Sequence, residues 1–169
     1  ADYLAVAYPV EGIELRQAGI KSPIMVLTAG TDSFEQIVNY GLEPGIPNMY
    51  SLRILCDVLE KRGVSDFPIH IKIDTGMSRI GFQVNEETAD IIHRISQLPN
   101  IEIEGIFTHF SNAYYDDNYT KQQFQRFMDC IEVLKMNNIE TGILHACNTS
   151  AFIKFPNMHL NAVRIGSGF

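Results

Sequence analysis

The sequence has few cysteines, and their positions exclude two kinds of cysteine-based architecture. Only Cys56, Cys130 and Cys147 occur in 169 residues, and three widely spaced cysteines do not form a disulfide framework. No pair has the short spacing of zinc ligands, so we predict no metal site. Free cysteines of this kind are typical of a reducing compartment. The sequence therefore predicts a cytoplasmic protein.

Basic residues are also scarce. The chain has 13 lysines and arginines against 20 acidic residues, and its net charge is -7. Binding to the phosphates of a nucleic acid needs concentrated positive charge, so this balance argues against nucleic acid as the main partner. Binding of a small-molecule ligand with an anionic group is compatible with this composition.

Long apolar segments are absent as well. No run approaches the length of a membrane span, and the opening ADYLAVAYP lacks the basic-then-apolar order of a signal peptide. The sequence has no starting methionine and opens on a strand-like segment. We therefore expect further sequence upstream of Ala1. The presence of a membrane segment in that upstream sequence is an open question.

Short apolar runs alternate with longer amphipathic ones along the whole chain. With 46% hydrophobic and 20% charged residues, the chain can fold around one core, and we predict a single domain over residues 1–169. Asp32 followed by Glu35 resembles a capping box, while Gly41 and Gly63 occupy positions where helices end. The predicted strands are residues 4–7, 23–27, 41–47, 69–74, 103–110, 142–148 and 162–166. The predicted helices are residues 11–18, 34–39, 50–61, 86–97, 121–136 and 150–155.

Alternating strands and helices predict a parallel α/β fold with right-handed crossovers. A dinucleotide-binding sheet would carry a glycine-rich turn after its first strand, but YPVEG stands there. Polar clusters instead follow the later strands, as at the carboxyl-terminal face of a (β/α)8 barrel. We therefore predict a TIM-type barrel.

The most unusual strand is IHIKIDTGMSRIG, residues 69–81. Helix-like segments on both sides of it predict a central, buried strand, yet this strand carries His70, Lys72 and Asp74. Buried charges need partners, so a polar cluster is expected around this strand. Lys72 is either a structural lysine paired with a carboxylate such as Asp74, or a catalytic amine.

Other candidate residues also have two interpretations. Arg79 is either a solvated loop arginine or part of the site, and His109 and His145 are either core histidines or bases. Arg164 lies in the apolar segment AVRIG and needs an acceptor, for which a bound anion or a ring nitrogen is suitable. Thr149, Ser150, Ser167 and Gly168 are either ordinary turn residues or a phosphate cradle.

Five segments together resemble the barrel domain of alanine racemases, pyridoxal-phosphate enzymes of fold type III. They are residues 4–27, 70–82 (HIKIDTGMSRIGF), 103–110 (IEGIFTHF), 145–152 (HACNTSAF) and 162–166 (AVRIG). The resemblance covers essentially the whole chain and is most specific at residues 70–81. It implies strands two to eight of the barrel, with the first strand upstream of Ala1.

The resemblance implies roles for the residues of the charged strand. Arg79 matches an arginine that contacts the cofactor's phenolic oxygen and the substrate carboxylate. Lys72 matches a lysine that is carbamylated in many members and holds this arginine, and Asp74 becomes scaffolding. His109 matches a histidine beside the pyridine ring.

The later segments match the family's cofactor contacts. Asn148 and Thr149 fall where the family has an Asn-Ser pair with its hydroxyl on the cofactor phosphate. Gly166 and Ser167 form the turn from which a backbone N–H helps to bind that phosphate. Arg164 matches the arginine that faces the pyridine nitrogen, where a permanent cation keeps the nitrogen unprotonated and disfavours transamination.

Two family features are missing from the sequence. No stretch resembles the segment that carries the Schiff-base lysine, and the tyrosine base of the carboxyl-terminal β domain is also absent. We therefore expect residues 1–169 by themselves to be inactive. In the full-length protein, the family implies a homodimer whose active sites use both subunits and a small amino acid as substrate.

The resemblance leaves the substrate open. The ending RIGSGF is closer to the branch that includes serine racemases of vancomycin-resistance clusters. Serine is therefore a candidate substrate as well as alanine. A fold type III decarboxylase would place a carboxylate at the position of Arg164, which argues against that class. A non-catalytic pyridoxal-phosphate-binding barrel is the remaining alternative.

Overall fold

The structure is a computed structural model that describes residues 1–166. The chain forms two compact units. The first comprises Ala1–His70 with Pro99–Glu102, and the second comprises Ile71–Leu98 with the chain from Ile103 onward. The expectation of a single domain stays a prediction.

Strands and helices alternate along the chain. The strands are β1 (Leu4–Val6), β2 (Ile24–Val26), β3 (Glu43–Ile46), β4 (Phe67–Asp74), β5 (Phe82–Gln83), β6 (Ile101–Phe107) and β7 (Ile143–His145). The helices are α1 (Pro9–Gln17), α2 (Phe34–Asn39), α3 (Met49–Arg62), α4 (Thr88–Ser96), α5 (Asp117–Met136) and α6 (Thr149–Lys154), with 3-10 turns at Thr31–Ser33 and Pro156–Met158. All six predicted helices are present.

One predicted strand is wrong, and one strand of the structure was not predicted. Residues 162–166 do not form a strand in the described part of the chain, where Ala162 makes only an isolated parallel bridge to His145. Conversely, Phe82 and Gln83 form β5, parallel to the end of β4, which the sequence did not indicate. A two-residue strand is too short to show period-two alternation, so its pairing depends on β4.

The first unit is built on parallel pairing of consecutive strands. Leu4 pairs with Ile24 between β1 and β2, and Met25 pairs with Glu43 between β2 and β3. The side chain of Asn48 caps the start of α3 by accepting from the Ser51 N–H at 2.9 Å.

The helix ends of the first unit match the predictions only in part. Gly63 ends α3 in the left-handed conformation, as the sequence indicates. Gly41 follows α2 with φ 55°. The predicted capping box is wrong, because α2 begins after Ser33 without a side-chain cap and a 3-10 turn occupies the position of Asp32.

The second unit contains the parallel pairs β4–β5 and β6–β7. Gly105 pairs with Ile143, and Phe107 pairs with His145. Asp116 caps the start of α5 by accepting from the Tyr119 N–H at 2.9 Å. The helix buries Phe127 and Leu134 completely.

The charged strand β4 is buried as predicted. His70, Lys72 and Asp74 are 1%, 4% and 8% exposed. His70 ends the part of β4 in the first unit, where it contacts Glu43 at 3.0 Å, and Lys72 and Asp74 lie in the second unit. Within the first unit, β1, β2 and β3 pair in chain order.

Candidate active site

A tight turn at the end of β4 carries Arg79. The Asp74 carboxylate accepts hydrogen bonds from the backbone N–H groups of Gly76, Ser78 and Arg79 at 2.9, 3.0 and 3.1 Å. Ser78 has φ 55° and Gly76 has φ 131°, so the chain folds back sharply around this carboxylate. The side chain of Arg79 is exposed. Its position therefore depends on the shape of the turn.

The ionisation of Asp74 matches this structural role. Burial acts to raise the pKa of the carboxyl, but backbone N–H donors from the turn outweigh it, and the net pKa is lowered. Asp74 is thus ionised at neutral pH. Within residues 1–166 it forms no ion pair with Lys72, so the predicted Lys72–Asp74 pair is not formed there.

Lys72 is a buried amine among other cations. Its ammonium lies 5.6 Å from the centre of the Phe107 ring. Burial and repulsion from Arg79 and Arg164 together lower the pKa of Lys72 to about 8, against the opposing attraction to Asp74. The neutral amine is therefore well populated slightly above neutral pH.

Arg164 is held by four hydrogen-bond acceptors from the β6 and β7 segments. Its Nη1 donates to His145 Nδ1 at 2.6 Å and to the His145 carbonyl at 3.3 Å. Its Nη2 donates to the Thr108 and Ala146 carbonyls at 2.7 and 3.2 Å. The guanidinium also lies 5.4 Å from the Phe107 ring centre. A guanidinium has five N–H donors, and among residues 1–166 the Nε–H is the donor left without an acceptor.

The backbone of Arg164 is fixed too. Its N–H donates to the Cys147 carbonyl at 2.9 Å, so this segment runs beside β7 although it is not a strand. Burial lowers the pKa of Arg164 to about 10, and Cys147 acts to raise it. The guanidinium therefore remains charged at neutral pH.

His145 is a site residue that the sequence left ambiguous. It is 4% exposed and stacks on Phe107 with ring centres 5.1 Å apart. A signal was present: an arginine in an apolar segment needs an acceptor, and the histidine at the end of the preceding strand can supply one. Two segments separated by a helix must meet before that pairing exists, and this meeting could not be read locally.

His109 lies just beyond β6 and is half-buried. Burial lowers its pKa to about 4, and the charges of Arg164, Lys72 and Arg79 contribute to the shift. The imidazole is therefore neutral at pH 7. The charges of Arg79 and Arg164 act on both Lys72 and His109, so the structure brings these four predicted residues near one another in the second unit. Three cations beside a neutral imidazole make a region suited to an anionic ligand.

The predicted phosphate residues meet at the start of α6. Asn148 caps the helix by accepting from the Ala151 N–H at 3.0 Å, and its amide donates to the Phe110 carbonyl at 3.4 Å. The hydroxyl of Thr149 accepts from the Gly166 N–H at 3.1 Å. Thr149 and Gly166 are thus neighbours, whereas Ser167 lies outside the described residues.

Comparisons with known proteins all point to one family. The family described as "Alanine racemase, N-terminal domain" matches residues 1–169. The alanine racemase of Clostridium tetani is 44% identical over 170 residues, which cover 98% of this chain and 43% of that protein. The chain thus spans less than half the length of that relative.

Solved structures agree with the sequence comparison. Alanine racemase from Clostridium difficile 630 matches 99% of this chain and 44% of its own, with 36% identity and a TM-score of 0.93. A structure of that protein in complex with cycloserine matches with 35% identity and a TM-score of 0.94, covering 99% of this chain and 46% of its own. These likenesses confirm the predicted β/α barrel fold class.

Proposed function

Because this chain belongs to the alanine racemase family, we propose that its full-length protein is a pyridoxal-phosphate-dependent racemase that interconverts L- and D-alanine. The observation that carries this proposal is the arrangement of Arg164. Its charged guanidinium makes four hydrogen bonds through Nη1 and Nη2, and among residues 1–166 its Nε–H has no acceptor. A donor of this kind is suited to an unprotonated ring nitrogen.

The residues present fit pyridoxal phosphate. Arg164 would face the ring nitrogen, and Arg79 would contact the phenolic oxygen. The Thr149 hydroxyl and the Gly166 N–H already lie together at 3.1 Å, and with Asn148 and Ser167 they would hold the phosphate. When bound, the cofactor supplies the electron sink that acidifies the Cα proton of the amino acid.

The charges of the chain's own residues suit this reaction. Arg164 stays a cation, since its pKa is about 10, and a fixed cation disfavours protonation of the ring nitrogen it faces. Arg79 binds the substrate carboxylate by the bidentate geometry that arginine favours. His109, with a pKa of about 4, adds no charge beside the ring at neutral pH.

Lys72 supports Arg79 and does not carry the cofactor. With a pKa of about 8, its neutral amine can react with carbon dioxide to give a carbamate and a released proton. The carbamate replaces the Lys72 cation with an anion. Repulsion between Lys72 and the two arginines, Arg79 and Arg164, thus becomes attraction. Asp74 supports the same arginine from the backbone side.

The Schiff-base lysine and the tyrosine base are assigned to parts of the protein outside residues 1–169. Residues 1–169 alone are accordingly inactive, and the full-length protein acts as a homodimer in the cytoplasm. Within residues 1–166 no helix is both long and apolar enough to span a bilayer.

The full-length gene product tests this function directly. Chiral chromatography after incubation with L-alanine or L-serine should show conversion to the D-isomer, faster for alanine. Faster conversion of serine would identify a serine racemase. Cofactor absorbance without conversion of either amino acid would identify a non-catalytic binding protein.

A reduction experiment tests the assignment of Lys72. Borohydride fixes the cofactor to its lysine, and peptide mapping then locates it. The label should fall outside residues 1–169. Label on Lys72 would contradict its supporting role.

A further inference from the structure

One face of α5 lies against the turn that carries Arg79. Tyr119 and Arg126 are seven residues apart and therefore share a helix face. The Tyr119 hydroxyl donates to the Gly76 carbonyl at 2.8 Å, and Arg126 Nη1 donates to the Thr75 carbonyl at 3.0 Å. The helix thus binds two consecutive carbonyls of the turn.

Gln123 lies between these two residues on the same face and is fully buried. Its Nε2 donates to the Thr75 hydroxyl and to the His109 carbonyl, both at 3.4 Å. Its Oε1 accepts from the N–H and the hydroxyl of Ser111 at 3.0 and 3.1 Å. One buried amide therefore links the turn to the backbone on both sides of Phe110.

The contact between α5 and the turn is close. Gly76 has φ 131°, and a Cβ atom there would lie 2.5 Å from the Tyr119 hydroxyl and 2.8 Å from Arg126 Nη1. The Arg126 guanidinium also lies 5.8 Å from the Tyr119 ring centre. The helix therefore fits this glycine turn and would not fit a turn with a side chain at position 76.

Two sets of hydrogen bonds thus define the turn. Asp74 binds its N–H groups, and α5 binds its carbonyls. The Arg79 side chain is exposed, so the shape of the backbone decides where its guanidinium can reach.

We propose that Tyr119, Gln123 and Arg126 of α5 are positioning residues for Arg79, and that they set its reach toward the carboxylate of the amino-acid substrate. This inference rests on the proposed function for the identity of the ligand. The hold of α5 on the turn is independent of it.

The first test measures the turn itself. In the full-length protein, Tyr119→Phe removes one hydroxyl, and Arg126→Met removes one cation. Matched controls are Tyr50→Phe and Arg53→Met, on exposed positions of α3. Peptide-resolved hydrogen exchange over residues 73–82 should become about three- to tenfold faster in each α5 variant and stay unchanged in the controls. Unchanged exchange in both α5 variants would overturn the inference, whether or not the protein is a racemase.

The second test measures the consequence for substrate binding. Tyr119→Phe and Arg126→Met should each raise KM for the amino acid about two- to tenfold, with a smaller change in kcat. Arg126→Lys keeps a donor and should recover most of the wild-type KM. A reduced kcat with KM unchanged in both variants would overturn the positioning role. If the wild-type protein does not racemise alanine or serine, the proposed function fails, and the exchange experiment alone decides the hold of α5 on the turn.

Discussion

The Arg164 guanidinium donates to the Nδ1 atom of His145 at 2.6 Å. The arginine side chain can only donate hydrogen bonds. His145 must therefore accept at Nδ1 and carry its proton on Nε2. The imidazole is therefore neutral, and its orientation is fixed by stacking on Phe107. This pair fixes the cation in the candidate active site without placing a carboxylate beside it.

Replacing Arg164 tests the role of that cation. Arg164→Glu places a carboxylate opposite the ring nitrogen and favours its protonation, so the cofactor withdraws electrons more strongly. The ratio of keto acid to D-alanine formed should rise on the order of tenfold or more. Arg164→Lys keeps the charge and is the matched control. The same product ratio in the Glu variant and wild type would contradict the proposed role.

Lys72 should bind carbon dioxide. Its pKa of about 8 leaves roughly half of the amine neutral at pH 8, and only the neutral amine forms a carbamate. Full-length protein in ¹³C-bicarbonate should give a carbamate carbon signal that acid abolishes. Lys72→Met should lack this signal. A wild-type protein without it at pH 8 would show that Arg79 is not held by a carbamate.

The stability of the protein should fall as the pH decreases through the range in which His109 resists protonation. Its pKa is about 4 in the folded chain and near 6.5 in the unfolded chain. Between these values the unfolded chain binds more protons, so unfolding becomes easier as the pH falls from 6.5 to 4.

Urea titrations between pH 4 and 7 measure this effect. His109→Gln should reduce the loss of unfolding free energy across the range by on the order of 1–3 kcal/mol. His93→Gln, at an exposed position of α4, is the matched control. An identical pH profile for His109→Gln and wild type would contradict the prediction.

Gly81 lies directly against the backbone at the end of β4. It has φ 141°, and a Cβ atom there would lie 2.7 Å from the Asp74 backbone nitrogen. Gly81→Ala should therefore lower the free energy of unfolding by about 3 kcal/mol or more. Gly19 also has positive φ, but nothing lies within 4 Å of a Cβ atom there. Gly19→Ala should cost only about 1–2 kcal/mol, and equal losses in the two variants would show that the close approach is unimportant.

Local sequence patterns predicted the elements well. All six helices appear, because amphipathic periodicity and glycine stops act over a few residues. The pattern of β4 likewise indicated its burial. Patterns failed where an element depends on a partner: β5 pairs with the end of β4, and the segment that carries Arg164 is held by β7 without forming a strand.

The candidate site divides in the same way. Lys72, Arg79, His109 and Arg164 could be nominated from the sequence, since charges in apolar segments need an explanation. Their roles in binding the cofactor and the substrate stay predictions. The contacts of α5 with Thr75 and Gly76 could not be anticipated, because Tyr119 and Arg126 have ordinary helix positions and nothing in their spacing identifies their acceptors.

The sequence by itself determined that strand β4 would be buried with its charges and that polar clusters would follow the ends of parallel strands. Composition and periodicity suffice for this, because burial follows from the apolar residues around each charge. Only the tertiary structure decided which group satisfies which charge. Asp74 binds the backbone of its own turn and not Lys72, and Arg164 finds its acceptors at Thr108, His145 and Ala146. Hydrogen bonds are directional and short, so those partners exist only once distant segments have been packed together.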